Sequence, residues 1–442
     1  MTSPEPSART ADLDAARSAT SNKVFYGWWM VLAAAGLQVI QGATLGQAFG
    51  AYVVVLREEF GWSKTILSAA SSLREMEAGV LGPIQGVLLS RYGPRRIAQL
   101  GLIIFAIGFV LFSRVQDVPQ FFGAFLIMSV GASMSGYLTL TYSMVQWFEK
   151  RRATALSLTA AGGAIGGLLV RVTVLSMENF GWRQTAVFSA ILLLVIGLPL
   201  SQFIRWRPVD HGLHIDGIAP EADAIEQRTS TGAMISADGT RDFTLKEAMR
   251  TRQFWFVGFG HGSALFIVAA LNVHLISHLH ESLGFTLGFA ATLSLTLPLL
   301  FLVGTLLGGP IGDRFSKRWV AVGCMWAHAI AIIGLAYVTT VPLVLAFATL
   351  HGLAWGLRGP QMAAIRADYF GRTHFATILG VSNALIIIGT ISGPIIAGFV
   401  YDVTGSYRIG FNILAVLATA GSLFFILAPA PKRPQAEVAP AA

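Results

Sequence analysis

Five charged side chains stand inside otherwise apolar runs of this 442-residue chain: Arg74, Glu75, Glu77, Arg171 and Arg358. At the centre of a membrane-spanning helix each would cost about 2.5–3.5 kcal/mol on insertion scales, so such residues face a cavity or a partner. Glu77 falls near the middle of its run, where a desolvated carboxylate can carry a proton. With Arg74, three residues earlier on the same helical face, and Glu75, it forms the candidate proton-coupling group. A plain internal Arg74–Glu77 ion pair is the alternative. Arg171 follows Gly163 and Gly167 at intervals of four, which predicts a place on a small-residue face packed against a neighbouring helix. A guanidinium held there grips a carboxylate with two parallel hydrogen bonds, or pairs with a glutamate of the second run. His351, Trp355, Arg358 and Gln361 recur at spacings of four, three and three, one polar and aromatic stripe in which Arg358 meets a ligand or reaches the interface. His274 and His278 have the i, i+4 spacing of metal sites, but no third ligand at firm spacing completes one.

These residues need elements long enough to hold them in a bilayer. About 20 apolar residues cross the hydrocarbon layer, and twelve such runs are present: 27–56, 65–89, 97–113, 121–145, 153–177, 182–204, 254–275, 287–312, 320–339, 343–365, 375–401 and 409–427. The composition agrees, with 54% hydrophobic and 12% charged residues where a soluble domain carries about 25% charged. A disordered chain is thereby excluded and a soluble enzyme is not expected. The one long polar stretch divides the chain into a tail (1–24), a six-helix bundle (25–204), a central loop (205–252), a second six-helix bundle (253–428) and a Pro/Ala-rich tail (429–442) expected to be disordered. Near the end of the loop, Thr244-Leu245-Lys246-Glu247 has the capping-box spacing and predicts a short interfacial helix leading into the seventh run.

Of the 31 Lys and Arg, 23 lie in polar segments on the side of the N-terminus. The positive-inside rule then places both termini and the central loop in the cytoplasm. That topology accounts for the net charge of +8, and no nucleic-acid partner is required. The single cysteine, Cys324, stands in an apolar run as a packing residue and excludes a disulfide framework. No phosphate-cradling loop, nucleophile–base pair or metal dyad is visible, so ATP-driven transport, enzymatic chemistry and a cofactor are not expected.

The chain also repeats itself. Gly86, Ser90, Arg91 and Arg95 after the second run match Gly309, Asp313, Arg314 and Arg318 after the eighth, always 223 residues apart, and the same offset carries Ala153-Thr154 onto Ala376-Thr377. Two parallel six-helix copies follow. This arrangement resembles the major facilitator superfamily, whose signature G-x-x-x-D-R-x-G-R-R stands between helices two and three and again between eight and nine. The resemblance implies an all-α membrane protein with twelve helices in two pseudo-symmetric halves, rocking about a midplane site to give alternating access. It also implies a cytoplasmic gate built from Asp313, Arg314 and Arg91. Ser90 replaces the usual Asp, so the gate-holding carboxylate is expected only at Asp313 and the two latches are unequal.

Arg74-x-x-Glu77-x-Gly79, Tyr369-Phe370-Gly371-Arg372, Gly393-Pro394 and Tyr401-Asp402-x-x-Gly405-Ser406-Tyr407 are similar to the monocarboxylate transporter and oxalate:formate antiporter branch. Residues 287–312 lack the Arg and Asp that many monocarboxylate transporters hold in helix eight, so an anion must be held elsewhere. The resemblance places helices one, four, seven and ten around the cavity, where Gln38, Gln41, Thr44, Tyr52, Ser133, Tyr137, Thr141, His261 and Asn272 supply polar groups. Arg171, Arg358, Tyr137, Gln41, His351 and Asn272 are the candidate substrate contacts. Three Arg against two Glu in the spans favour a small organic anion, expected to be a monocarboxylate, moved with protons or by exchange through a monomer embedded in lipid. Efflux of another small molecule and a non-transporting sensor of the same fold are the alternatives. The lack of N-x-[ST] sequons fits a bacterial inner membrane.

Overall fold

The computed structural model describes residues 24–46, 48–218, 227–228, 234–235 and 240–436. Residues 1–23 of the expected N-terminal tail, much of the central loop and residues 437–442 lie outside the described residues. Among the described residues there are twelve long helices: α1 (Tyr26–Phe60), α2 (Lys64–Tyr92), α3 (Pro94–Phe112), α4 (Val118–Trp147), α5 (Arg152–Phe180) and α6 (Trp182–Gln202) in the first half, and α7 (Arg252–Ser282), α8 (Gly288–Arg314), α9 (Lys317–Tyr337), α10 (Val341–Phe370), α11 (Phe375–Thr404) and α12 (Tyr407–Ile426) in the second. Eleven of them are apolar and long enough to span a membrane. The remaining one, α2, has 29 residues and carries Arg74, Glu75 and Glu77. A two-residue antiparallel ladder, Gln227 opposite Ile235, lies in the central loop.

Helix starts follow local chemistry. Asp117 caps α4 by accepting from the Gln120 amide at 2.8 Å, and Gly93, at φ 80°, turns the chain so that Pro94 can open α3. Thr244 and Glu247 form the capping box of a short helix, Leu245–Arg250. Glu247 also binds Arg241 through both oxygens at 2.7 and 2.9 Å. The Arg241 hydrogen bonds hold its carboxyl down at about 2. Because the folded value lies below the ordinary one, this contribution is complete above the usual carboxylate range and is lost as pH falls to about 2.

The segment around this helix is not a free linker. The Asp242 and Phe243 side chains are buried, the Phe243 amide donates to the Phe370 carbonyl at 3.1 Å, and the Arg241 amide donates to the Pro434 carbonyl at 2.8 Å. The chain after Pro429, expected to be disordered, is therefore pinned against the loop as far as residue 436.

Packing within and between the halves depends on glycine. A Cβ at Gly162 would lie 2.2 Å from the Ala35 carbonyl oxygen, and one at Gly166 would lie 2.4 Å from that of Val39, so α5 rides directly on α1. Between halves, a Cβ at Gly86 would fall 2.6 Å from the Thr377 Cα, and one at Gly309 would fall 2.7 Å from the Thr154 Cα. The two contacts exchange under the same 223-residue offset, so the repeat is a spatial pseudo-symmetry joining α2 to α11 and α8 to α5.

Among the described residues six spans are interrupted: α6 by a π-turn at Leu193–Gly197, α7 by one at His278–Ser282, α8 at Leu295, and α1, α4 and α5 as follows. A π-turn, Gly42–Gly46, breaks α1; Gly136 divides α4 into Val118–Ser135 and Tyr137–Trp147; and α5 bends at Leu169. Breaks of this kind free backbone groups and re-aim side chains inside a bundle.

Candidate functional site: a cationic interior and a latch

The most deeply buried charges are on α10. Arg358 and Arg366 are each 1% exposed. Arg366 donates from Nε to the Ser382 hydroxyl at 2.9 Å and from Nη1 to the Met362 carbonyl at 2.7 Å, which leaves Nη2 without a partner. Arg358 leaves both Nε and Nη1 unpartnered. Tyr137 of α4 and His261 of α7 lie within electrostatic range of both guanidiniums. Tyr137 is 44% exposed although it stands at the break in mid-span, so an open space reaches it between the halves.

Among the described residues no carboxylate pairs with Arg358 or Arg366. A guanidinium does not shed its proton in a protein, and an unpaired buried charge costs several kcal/mol. The arrangement is therefore short of negative charge. An anion entering beside Tyr137 would meet preorganised donors that have nothing else to bind.

The histidine–arginine stripe of α10 does not face a single space. His351 is buried against His328 of α9, their Nδ1 atoms 3.1 Å apart, and Gln361 donates to the Gly308 carbonyl of α8 at 2.6 Å. Arg358 is enclosed within the bundle and does not reach the interface. Asn272 is exposed on α7, whereas Gln41 donates to Ser135 at 2.9 Å and ties α1 to α4.

Glu77 is buried and accepts from the Ser133 hydroxyl at 2.9 Å, its other oxygen being without a partner. Gln85 donates to the Ser133 carbonyl at 2.8 Å and to the Thr139 hydroxyl at 3.0 Å, so the carboxylate belongs to a small network around the α4 break. The expected pairing with Arg74 is replaced by this contact with α4. Arg74 and Glu75 are half-buried.

Arg171 occupies a different place from the one its spacing suggests. The face of α5 that packs on α1 is that of Gly162 and Gly166, while a Cβ at Gly163 would meet nothing. The Arg171 side chain is 68% exposed and sits 3.4 Å from Glu178 of its own helix, and no glutamate of α2 is its partner. Arg171→Ala is expected to leave substrate affinity within about twofold of wild type, because exposed pairs of this kind contribute about 0–1 kcal/mol. Measuring half-saturation for uptake checks this, and a tenfold loss would return Arg171 to the site.

The histidines near the C-terminal end of α7 are each engaged by backbone: His274 with the Pro394 carbonyl at 3.0 Å, His278 with that of Leu335 at 2.8 Å and His280 with that of Phe285 at 2.7 Å. The i, i+4 spacing therefore serves packing here.

At the face bearing the described ends of the chain the halves are fastened together. Asp313, at the end of α8, accepts from the amides of Ala153 and Thr154 at 2.8 and 3.1 Å and from the Thr154 hydroxyl at 2.6 Å. A carboxylate at the first turn of α5 is favoured by its unpaired amides and by the helix dipole. The matching Ser90 instead donates to the Val87 carbonyl of its own helix at 2.8 Å. Arg91 lies 5.4 Å from the Tyr92 ring centroid, and Arg314 is exposed.

The pairs that reinforce this seam were not singled out from sequence. Arg152 of α5 binds Asp368 of α10, which also holds Lys317 at 2.9 Å. Arg372 lies 3.4 Å from Glu149, and Gln146 donates to the Arg372 carbonyl at 2.8 Å. Asp242 of the central loop accepts from the amides of Arg372 and Thr373 at 2.8 and 3.0 Å and so braces that turn. Arg366 was also missed. Its signal was the helix-compatible stretch 361–370, of which the last five residues were left outside the run.

With fold and site in place, comparison with known proteins gives the family. The model of the Major Facilitator Superfamily matches residues 24–298 and 254–442. Monocarboxylate transporter 14 of Homo sapiens is 23% identical over 91% of this chain and 90% of its own length, and the hexuronate transporter of Bacillus subtilis is 23% identical over 84% and 87%. The crystal structure of the E. coli fucose:proton symporter FucP superposes with a TM-score of 0.69 at 14% identity, covering 91% of this chain and 98% of that one, which shows the shared fold. The protein is a multi-pass membrane transporter and not an enzyme: it belongs to the Major Facilitator Superfamily and resembles the monocarboxylate transporters within it.

Proposed function

We propose that the protein is a secondary transporter of a small organic anion, a carboxylate gripped by Arg358 and Arg366 with Tyr137 and His261 at the rim of the site. The observation that carries this reading is the pair of buried guanidiniums on α10 with unpartnered nitrogens and no carboxylate beside them. Several relatives are named monocarboxylate transporters, which supports a monocarboxylate.

In this reading the face bearing the described chain ends is cytoplasmic, by the positive-inside rule. The Asp313 latch closes that face, and an anion reaches Tyr137 from outside. Release of the latch and closure of the other ends of α2, α5, α8 and α11 expose the same site to the cytoplasm. One copy of the chain contains every group required.

Glu77 is the proton-coupling group. Its buried carboxylate has a single hydrogen-bond donor and one idle oxygen, so protonation removes a charge that one hydrogen bond from Ser133 and the nearby Arg74 charge stabilise. Glu77→Gln is expected to abolish accumulation driven by a pH gradient while leaving exchange of internal for external substrate within a few-fold of wild type. Proteoliposome uptake with and without an imposed gradient makes the comparison, and intact accumulation in the variant would remove Glu77 from the mechanism.

The test of transport itself is counterflow in proteoliposomes with labelled lactate, pyruvate, oxalate and larger carboxylates. Saturable counterflow of at least one supports the reading. A protein that binds an anion without flux would be a sensor of the same fold.

A further inference from the structure

A second cationic site lies far from the α10 arginines, where the α2–α3 turn meets the start of the central loop. Arg91, Arg95, Arg96, Arg205, Trp206 and His211 line a cavity of 270 Å³ with no carboxylate in its wall. Some other cations on this face are matched: Arg152 and Lys317 by Asp368, Arg372 by Glu149 and Arg241 by Glu247. Among the described residues no acidic partner meets any of the four cavity arginines. Arg91, Arg95 and Arg96 are exposed and Arg205 is half-buried, and the four line one hollow.

The hollow also receives the start of α3, a 19-residue helix with Gly93 as N-cap and Pro94 in its first turn. Gly93 has no side chain to cap it, so the first-turn amides of Arg95 and Arg96 are left for another acceptor. The opposite wall is rigid. The Trp206 indole donates to the Tyr142 hydroxyl at 2.9 Å and lies against Gly93, whose Cβ would be 3.0 Å from the ring. The pseudo-symmetric copy has no equivalent, because Ser316 stands where Gly93 does, Lys317 is bound to Asp368, and Asp313 neutralises that end. Loss of the carboxylate at Ser90 is thus accompanied by an unfilled basic cavity on the same copy of the repeat.

We infer that this cavity binds a phosphate-bearing anion. Its position at the ends of α2 and α6, with tryptophan in its wall, is the level at which headgroup phosphates lie. An anionic phospholipid headgroup and free phosphate present the same chemistry, and two measurements separate them. Native mass spectrometry of the full chain in neutral detergent, titrated with phosphatidylglycerol or phosphatidylcholine, reads lipid retention. Thermal unfolding in lipid-free detergent, with inorganic phosphate against chloride at equal ionic strength, reads the free anion.

For a headgroup site, wild type retains one phosphatidylglycerol about 30-fold better than phosphatidylcholine, as expected for two arginines at about 1 kcal/mol each. The double variant Arg95→Gln/Arg96→Gln loses that preference, and Arg95→Lys/Arg96→Lys keeps most of it. For a free-phosphate site, millimolar phosphate raises the unfolding temperature of wild type and of the lysine variant but not of the glutamine variant. Arg57→Gln, a charge loss outside the cavity, changes neither reading. Equal lipid preference and equal phosphate response in wild type and the glutamine variant would overturn the inference, as would loss of both in Arg57→Gln.

Discussion

Arg358→Gln is expected to abolish anion counterflow while the substrate-free protein stays as stable as wild type or becomes more so. The two halves of that result have one cause. Arg358 is 1% exposed and leaves Nε and Nη1 unpartnered, so the empty site bears the desolvation cost of a charge that nothing in the protein offsets. Breaking a buried ion pair by removing one partner costs about 3–5 kcal/mol. In the proposed reading the substrate anion is that partner, which makes the expected loss in affinity about two to three and a half orders of magnitude at 1.4 kcal/mol per decade. Removing the charge in the absence of substrate relieves the cost instead. Thermal unfolding in detergent and counterflow in liposomes read the two effects separately. A structural arginine would behave in the opposite way, lowering stability and leaving affinity nearly intact in whatever fraction still folded.

Asp313→Asn is expected to loosen the closed face and slow turnover about tenfold, with normal insertion into the membrane. The carboxylate accepts three hydrogen bonds from α5, two of them from first-turn amides. Hydrogen bonds to a charged group contribute about 1.5–3 kcal/mol each and are not additive. Asparagine keeps one carbonyl acceptor and none of the charge, so a loss of about 2 kcal/mol is reasonable, a shift of roughly 30-fold between closed and open forms. Ser157 lies buried beneath this contact, its Cβ 3.2 Å from where a Cβ on Gly309 would stand. A cysteine at Ser157, in a Cys324→Ser background, should react with a maleimide about 30-fold faster when Asp313→Asn is added. Unchanged labelling together with unchanged turnover would show that Asp313 is no latch. Because Ser90 bonds only its own helix, Ser90→Ala should have little effect on either measurement.

The parts of the molecule that could be read from sequence are those governed by one-dimensional patterns. Apolar runs long enough to cross a bilayer became the twelve helices, and the 223-residue repeat became the exchange of Gly86–Thr377 with Gly309–Thr154. Side-chain direction was harder to read. Gly162-Gly163 and Gly166-Gly167 are doublets, so two helical registers one residue apart fit the same small-residue pattern. The chain packs on Gly162 and Gly166, and Arg171, in register with the other pair, turns outward to Glu178. Arg358 was visible because apolar residues surround it. Arg366 was not, because Asp368 and Arg372 follow closely and resemble a loop, whereas α10 continues to Phe370 and carries Arg366 inside the bundle. The long-range pairs, Arg152 with Asp368 and Asp242 with the Arg372–Thr373 turn, join segments far apart in sequence and have no local signature.

The α10 guanidiniums are expected to select for negative charge. This selection is tested most directly by comparing counterflow of a labelled carboxylate with that of its neutral amide of the same shape, in wild type and in Arg358→Gln/Arg366→Gln. The expected result is saturable flux of the carboxylate through wild type, none of the amide, and none of the carboxylate through the double variant. Equal flux of acid and amide, or carboxylate flux that survives loss of both arginines, would contradict it.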